Sequence, residues 1–327
     1  MIKLSLCVVG CGDFAATFAR AMASLRDEVE LSFASRDIRR AETYAHAFQG
    51  SESFGSYEAA AADPRVEAMY LCTPHHLHRE HAVMTAHAGK HILVEKPIAR
   101  TLEEGWDMVS SAQQAGVTLM VAKNHRFMGA VRRAKELIDG GAIGGLCPMQ
   151  LQEEVRFQPQ GWRNNRELNG GGRFIDAGIH KVGVLVYLAG MPENVYAASL
   201  PRGLPDVDGE DGLVLMTTSR EGVVGVINHS WTWAQRAEPP WVTVSRTRGR
   251  ISFRQGASSL KVDDGASERT LRFGDDHHGL APMVREFRDS IREGREPQMS
   301  GAAGMDDLAV VLKAYESVER GVSLPFQ

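Results

Sequence analysis

Cysteine is scarce in this chain, only four in 327 residues, and Cys7, Cys11, Cys72 and Cys147 form neither a C-x-x-C pair nor a zinc-site spacing. A disulfide framework is thereby excluded and a reducing cytoplasm is the expected setting. No apolar stretch approaches the ~18 residues of a membrane span, and the opening MIKLSLCVVG has no small-residue cleavage site after its short apolar run. Neither export nor a membrane partner is expected. Excess charge of one sign is missing too: 37 Lys and Arg against 41 Asp and Glu leave a net charge of −4, which offers no field for a nucleic-acid partner. Internal repeats and low-complexity tracts are absent.

Glycine, in contrast, is plentiful, with 33 residues or about 10% of the chain against a usual ~7%. The length suggests two domains. Strand-like runs at Lys3 to Val9, Val29 to Ser35, Ala68 to Cys72, His91 to Glu95 and Thr118 to Ala122 alternate with helical periodicity at Phe14 to Leu25, 37 to 48, 76 to 88 and Leu102 to Ala115. This alternation predicts an α/β fold with a doubly wound parallel sheet over residues 1–123. Beyond Lys123 the texture changes. A helix over Val131 to Ile138 precedes strand-like runs from Met149 to Phe157, Val195 to Leu200, Leu213 to Thr218, Val223 to Trp233, Trp241 to Thr247, Arg250 to Phe253 and Ser259 to Val262. Two closing helices are expected at Met283 to Glu293 and Met305 to Glu319. Residues 124–327 therefore read as a second, α+β domain with a large, mostly antiparallel open sheet.

The first chemical motif, Gly10-Cys11-Gly12-Asp13-Phe14-Ala15, stands between the first strand and first helix. In G-x-G-x-x-A, the first glycine permits the tight turn, the second lets backbone approach a pyrophosphate, and the alanine allows close helix packing. The second strand ends in Ser35-Arg36-Asp37, where a hydroxyl and a guanidinium suit the 2′-phosphate of NADP. A solvated Arg36 paired with Asp37, or Asp37 itself facing the ribose of NAD, are the alternatives. Cys72-Thr73-Pro74-His75 and Glu95-Lys96-Pro97 end two further strands, and in open parallel sheets such tips face the ligand. Lys96, if desolvated, can exchange a proton near neutral pH; otherwise it is a surface cation. In Gly170-Gly171-Gly172-Arg173-Phe174-Ile175-Asp176-Ala177-Gly178-Ile179-His180, a helix would put Asp176 and His180 on one face, either as a hydroxyl-binding acid/base pair or as an ordinary surface pair. The cluster His75, His76, His78 and His81 has only Glu80 to complete a metal shell, so no metal is expected. His75 is expected beside the cofactor and the others on the helix surface. Trp231, Trp233 and Trp241 are expected to pack or form an interface rather than stack on sugar.

Together with Asn124-His125-Arg126-Phe127 and Trp162-Arg163, these motifs resemble the glucose-fructose oxidoreductase and inositol dehydrogenase (Gfo/Idh/MocA) family along nearly the whole chain. The resemblance implies a nicotinamide cofactor lying between a Rossmann domain and a C-terminal domain whose open sheet often mediates homodimers or homotetramers. It implies that Lys96 is the catalytic lysine and that Asp176 and His180 are the substrate-binding acid/base pair. Glu95 and Pro97, joined to Lys96 by a cis peptide, would shape the loop under the nicotinamide. Asn124, Arg126, Trp162 and Arg163 would line the cleft toward cofactor or substrate. His78 joins the expected cofactor-binding set with Cys72, Thr73, Pro74 and His75. The implied activity is NAD(P)-dependent hydride transfer at a secondary alcohol of a sugar, cyclitol or related polyol. The alternatives are an NAD-dependent glycoside-cleaving enzyme or a non-catalytic cofactor-sensing regulator of the same fold.

Overall fold

The computed structural model describes residues 3–145, 148–232, 239–274 and 277–326, apart from the His277 side chain. Cys147 and Trp233 lie outside the described residues. The chain divides into two compact units, Met1–Lys123 with Leu280–Met305, and Asn124–Gly279 with Asp306–Gln327. The second domain was expected to run unbroken to residue 327; instead Leu280–Met305 belongs to the first unit.

In the first unit, β1 (Leu4–Val9), α1 (Asp13–Met22), β2 (Val29–Ala34), α2 (Ile38–Phe48), β3 (Ser53–Phe54), α3 (Tyr57–Ala62), β4 (Ala68–Leu71), α4 (His78–His87), β5 (His91–Glu95), α5 (Leu102–Gln114) and β6 (Leu119–Ala122) follow in order. The six strands form one parallel sheet, β3-β2-β1-β4-β5-β6, with Leu6 opposite both Leu31 and Ala68. Strands β1 and β4 are apolar on both faces and buried on both, as crossover helices require. Helix starts are set by side-chain caps: Asp37 accepts from the Arg39 amide at 3.1 Å, and Thr101 accepts from the Glu104 amide at 3.2 Å. The short β3 and α3 fall below the length at which periodicity is readable.

The second unit holds a 3₁₀ turn (Asn124–Phe127), α6 (Gly129–Asp139), β7 (Met149–Glu154), α7 (Arg166–Asn169), a π-helical turn (Phe174–Gly178), α8 (Ile179–Ala189), β8 (Asn194–Ser199), β9 (Gly212–Thr218), β10 (Val224–Ser230), β11 (Val242–Arg246), β12 (Gly249–Phe253), β13 (Ser259–Asp263) and β14 (Glu268–Arg272). After α9 (Leu280–Glu293), α10 (Gly301–Arg320) enters this unit and β15 (Leu324–Pro325) closes it. The nine described strands run β14-β13-β12-β11-β7-β10-β9-β8-β15, antiparallel throughout except for the parallel pair β7 and β10. One face buries Met149, Leu151, Leu213, Leu215, Ile227 and Val244, with α6 and α8 against it. Among the described residues no helix is long and apolar enough to cross a membrane.

Helix α9 packs on α1, with Phe287 fully buried. Arg285 holds Glu28 at 2.9 Å, and Arg292 Nη2 donates to Glu67 at 2.9 Å. Phe287→Ala should destabilise the first unit by about 3–5 kcal/mol, read by denaturant unfolding; an unchanged midpoint would show that α9 is not part of its core.

Candidate active site

Site residues occur in both units, and each is described within its own. Gly10 has φ +95°, and a Cβ there would stand 2.9 Å from the Cys72 carbonyl oxygen, so only glycine fits this turn without strain. Around Gly12 the space a Cβ would take is open, and α1 starts there without a side-chain cap. The uncapped amides of a helix N-terminus, reached over an open glycine, fit a pyrophosphate. Ala15 is fully buried and Phe14 partly exposed. Cys11 is buried with Sγ 3.7 Å from the Ala34 carbonyl. Burial pushes its thiol up to about 11, with the Arg40 charge opposing.

At the tip of β2, Asp37 is the cap of α2 and its amide donates to Ser35 Oγ at 3.2 Å. The Asp37 carboxylate is therefore occupied by backbone. Arg36 is exposed, and its charge acts on the Tyr57 hydroxyl and on His81. Arg40, one helical turn later, acts on Cys11 and on Tyr44, whose hydroxyl donates to the Gly12 carbonyl at 3.2 Å. Arg40 thus lies beside the glycine turn and Arg36 at the tip of β2; Arg40 was legible as the i+4 partner of Arg36 but is not in the expected set.

The tips of β4 and β5 are joined by His78. Its Nδ1 lies 2.9 Å from the Pro97 carbonyl and its Nε2 3.0 Å from the Thr73 carbonyl, with the ring fully buried. Burial pulls its pKa down to about 4. Fully buried, His78 has no accessible atom for a ligand and packs between the tips of β4 and β5 instead, its neutral ring donating to one of the two carbonyls. His81, buried with Nδ1 3.1 Å from Thr73 Oγ1, likewise is not on the helix surface. His75 is also buried. No group of three His, Cys, Asp or Glu able to hold a metal occurs among the described residues. The Glu95 carboxylate accepts from the buried Tyr70 hydroxyl and, at 3.3 Å, from the Lys96 amide. Lys96 is half-buried at the end of β5, and its bond to Pro97 is cis.

In the second unit, Asp176 sits in the π-helical turn and His180 in the first turn of α8, so the expected uninterrupted α-helix is broken just where the carboxylate lies. Asp176 is buried and not an ordinary surface acid. Its Oδ2 is 3.3 Å from Arg173 Nη1 and 3.4 Å from Arg163 Nε. Arg173 is wholly buried; its Nη2 donates to the Arg163 carbonyl, and its guanidinium lies 5.3 Å from the Trp231 ring centroid. Arg163 stacks on Trp162 at 4.4 Å. Tyr315 steadies the glycine run: its hydroxyl accepts from the Gly172 and Ile175 amides at 3.2 and 3.0 Å and donates to Glu210 at 3.0 Å. A Cβ on Gly172 would overlap Glu210.

Other expected residues take defined partners. Asn124 Nδ2 donates to the His278 carbonyl at 2.8 Å, and Arg126 covers the Tyr187 ring at 4.5 Å. His125, between them, stacks on His180 with ring centroids 4.0 Å apart. Trp231 and Trp241 are buried, in keeping with packing. Beneath lies a second charge cluster absent from the sequence reading: buried Lys181 donates to Glu153 Oε2 at 2.8 Å, and His229 Nδ1 is 3.8 Å from Glu153 Oε1. Burial would raise the Glu153 carboxyl, but Lys181 overrides it and holds the group at about 2. Burial, then the Lys181 charge, pull His229 down to about 3. The lysine next to His180 in an apolar run was the only hint.

A glycine turn at an uncapped helix start, an arginine at the tip of β2 and a lysine at the tip of β5 of one parallel sheet are features of the nucleotide-binding Rossmann class of oxidoreductases. A model of the oxidoreductase family with an NAD-binding Rossmann fold matches residues 4–123, and one of the GFO/IDH/MocA C-terminal domain matches residues 131–252. The chain belongs to the Gfo/Idh/MocA family. It is 30% identical to 1,5-anhydro-D-fructose reductase of Ensifer adhaerens over 89% of each chain, and 28% identical to levoglucosan dehydrogenase of Pseudarthrobacter phenanthrenivorans over 84% of each. A solved levoglucosan dehydrogenase in complex with NADH and levoglucosan shares the fold, with a TM-score of 0.89 at 24% identity over 99% of both chains.

The folded His229 and Glu153 both bind protons less readily than their ordinary values of 6.5 and 4.5. Stability should therefore fall as pH drops below about 6.5, and more steeply below about 4.5. Glu153→Gln should cost about 3–5 kcal/mol at pH 7 by leaving Lys181 buried without its counter-ion, and adding Lys181→Met should recover most of it in thermal melts. Equal melting of the single and double variants would deny the coupling.

Proposed function

We propose that the protein is an NADP-dependent dehydrogenase or reductase acting on a secondary alcohol or carbonyl carbon of a sugar, cyclitol or related polyol. The observation that carries the reading is the half-buried Lys96 on a strand tip of a nucleotide-binding sheet, in a chain that also holds a carboxylate and an imidazole on one short segment. The relatives named above act on carbohydrate-like rings, which supports the substrate class.

In this reading Gly10, Gly12 and the start of α1 hold the pyrophosphate, and Arg36 with Arg40 hold the 2′-phosphate. When bound, the nicotinamide supplies the hydride acceptor or donor. Asp176, fixed by Arg163 and Arg173, accepts from a substrate hydroxyl and orients the ring. His180 or Lys96 takes the hydroxyl proton in oxidation and returns it in reduction, a contribution of ~10² to 10⁴-fold. Intact Lys96, Asp176 and His180 favour catalysis over a purely sensing role. Tyr196 and Met216, exposed side by side on the open sheet face, support a homo-oligomer through that sheet; sedimentation at the single-chain mass of 35.8 kDa would overturn it.

A panel of aldoses, ketoses, anhydro-sugars and inositols followed at 340 nm with both cofactors should yield at least one substrate. Cleavage of a glycoside without net change at 340 nm would point to the glycoside-cleaving alternative. Lys96→Ala and His180→Ala should each lower kcat by ~10²-fold or more with cofactor affinity kept, and wild-type turnover in both would exclude them. Arg36→Ala with Arg40→Ala should raise the KM for NADPH by about tenfold or more and leave that for NADH nearly unchanged; an unaltered NADPH preference would remove the phosphate assignment.

A further inference from the structure

The stacked pair of imidazoles in the second unit has a consequence for the acid/base group. His125, in the 3₁₀ turn Asn124–Phe127, and His180, at the start of α8, have ring centroids 4.0 Å apart and planes tilted by 30°. The Trp241 ring stands edge-wise to His125, 5.2 Å away at 86°, so His125 is confined between an indole and the His180 ring. His125 and Trp241 are buried and His180 is half-buried. Two imidazolium ions cannot share this spacing without strong repulsion, because little water stands between the rings to screen them.

We propose that His125 is a positioning residue for His180, the two rings acting as a coupled pair that takes up one proton, borne by His125, so that His180 remains a proton acceptor. The inference rests on the reading of His180 as an acid/base group. The charges around the pair decide which ring is protonated first. From β7, Glu153 lies in the field of His125. Asp176, on the π-helical turn preceding His180, is already matched by Arg163 and Arg173. Lys181, the next residue of α8, is neutralised by Glu153, and His229 on β10 stays uncharged through burial. Arg126, beside His125 in its own turn, lies over Tyr187. Of these groups, Glu153 is the carboxylate whose field reaches His125, although it is shared with Lys181, and that field favours the proton on the His125 ring. A cation on His125 then opposes a second proton on His180 and fixes the orientation of its ring by stacking.

The test is His125→Phe, which keeps an aromatic ring on His180 and removes the charge; His125→Asn provides the same comparison with a small uncharged side chain should the first fail to fold. In spectra of protein labelled with ¹⁵N-histidine, assigned with His180→Gln, wild-type His125 and His180 should titrate as a coupled pair in two steps separated by about one pH unit or more. In His125→Phe, His180 should titrate in a single step displaced upward by about the same amount, since an aromatic face tolerates an imidazolium that a second imidazolium repels. The acid limb of kcat/KM for alcohol oxidation should move upward with it, while the Kd for the cofactor is unchanged. Independent single-step titrations of the two rings in the wild type, or an unmoved His180 titration in both variants, would overturn the pairing. A coupled titration in the spectra combined with an unmoved rate profile would leave the pair standing and instead reject His180 as the group that accepts the hydroxyl proton.

Discussion

Arg173 is the residue around which the π turn of the second unit is arranged. A guanidinium taken wholly out of water is costly unless it is paired, and here Nη1 meets the Asp176 carboxylate and Nη2 the Arg163 carbonyl, with the Trp231 ring centroid 5.3 Å from the guanidinium carbon. Those same contacts fix three things at once: the direction of the Asp176 carboxylate, the course of the Trp162-Arg163 segment, and the place where helical winding widens into a π turn. The glycine run before it has no freedom to drift, since Tyr315 and Glu210 occupy the volume that side chains at Gly171 and Gly172 would need. Rigidity at Asp176 is thus produced by charge burial and backbone crowding together.

The nucleotide-binding unit works on the opposite principle. In the proposed reading, recognition there falls mainly to backbone amides at the start of α1 and to an open glycine, with charge added only at the rim by Arg36 and Arg40. In a chain whose net charge is −4, such placement confines the positive potential to where a phosphate would be. The buried His78 ring lies between the carbonyls of the two strand tips, and burial keeps it neutral near physiological pH, so it donates to one of those carbonyls and packs against the other.

Much of this was legible in the sequence because it is local. The G-x-G-x-x-A turn, the β-strands of the first sheet and the E-K-P tip are each encoded within a few residues, and periodicity placed most element ends within two or three positions. What escaped was non-local. The partnership of Lys181 with Glu153 links a helix to a strand 28 residues away, and the stack of His125 on His180 depends on the arrival of two elements at one point. Only hydrophobic alternation could have placed Glu153 on an inward face, and in β7 that alternation gives way to Gln152, Glu153 and Glu154. His78 and His81 were misread as surface residues because histidine on a helix with little apolar asymmetry gives no sign of which side is covered; their partners, the backbone of Thr73 and Pro97 and the Thr73 hydroxyl, come from other elements. The π turn is invisible to periodicity, which cannot separate one widened turn from an ordinary helix.

The return of residues Leu280–Met305 to the first unit orders events during synthesis. A ribosome delivers the whole parallel sheet and then more than 150 further residues before α9 exists to cover α1 and satisfy Glu28 and Glu67. Until then α1 carries an uncovered apolar strip, so a segment made late completes the part made first, and a chain truncated before residue 280 leaves that strip as a lasting target for the helper proteins that shield such surfaces.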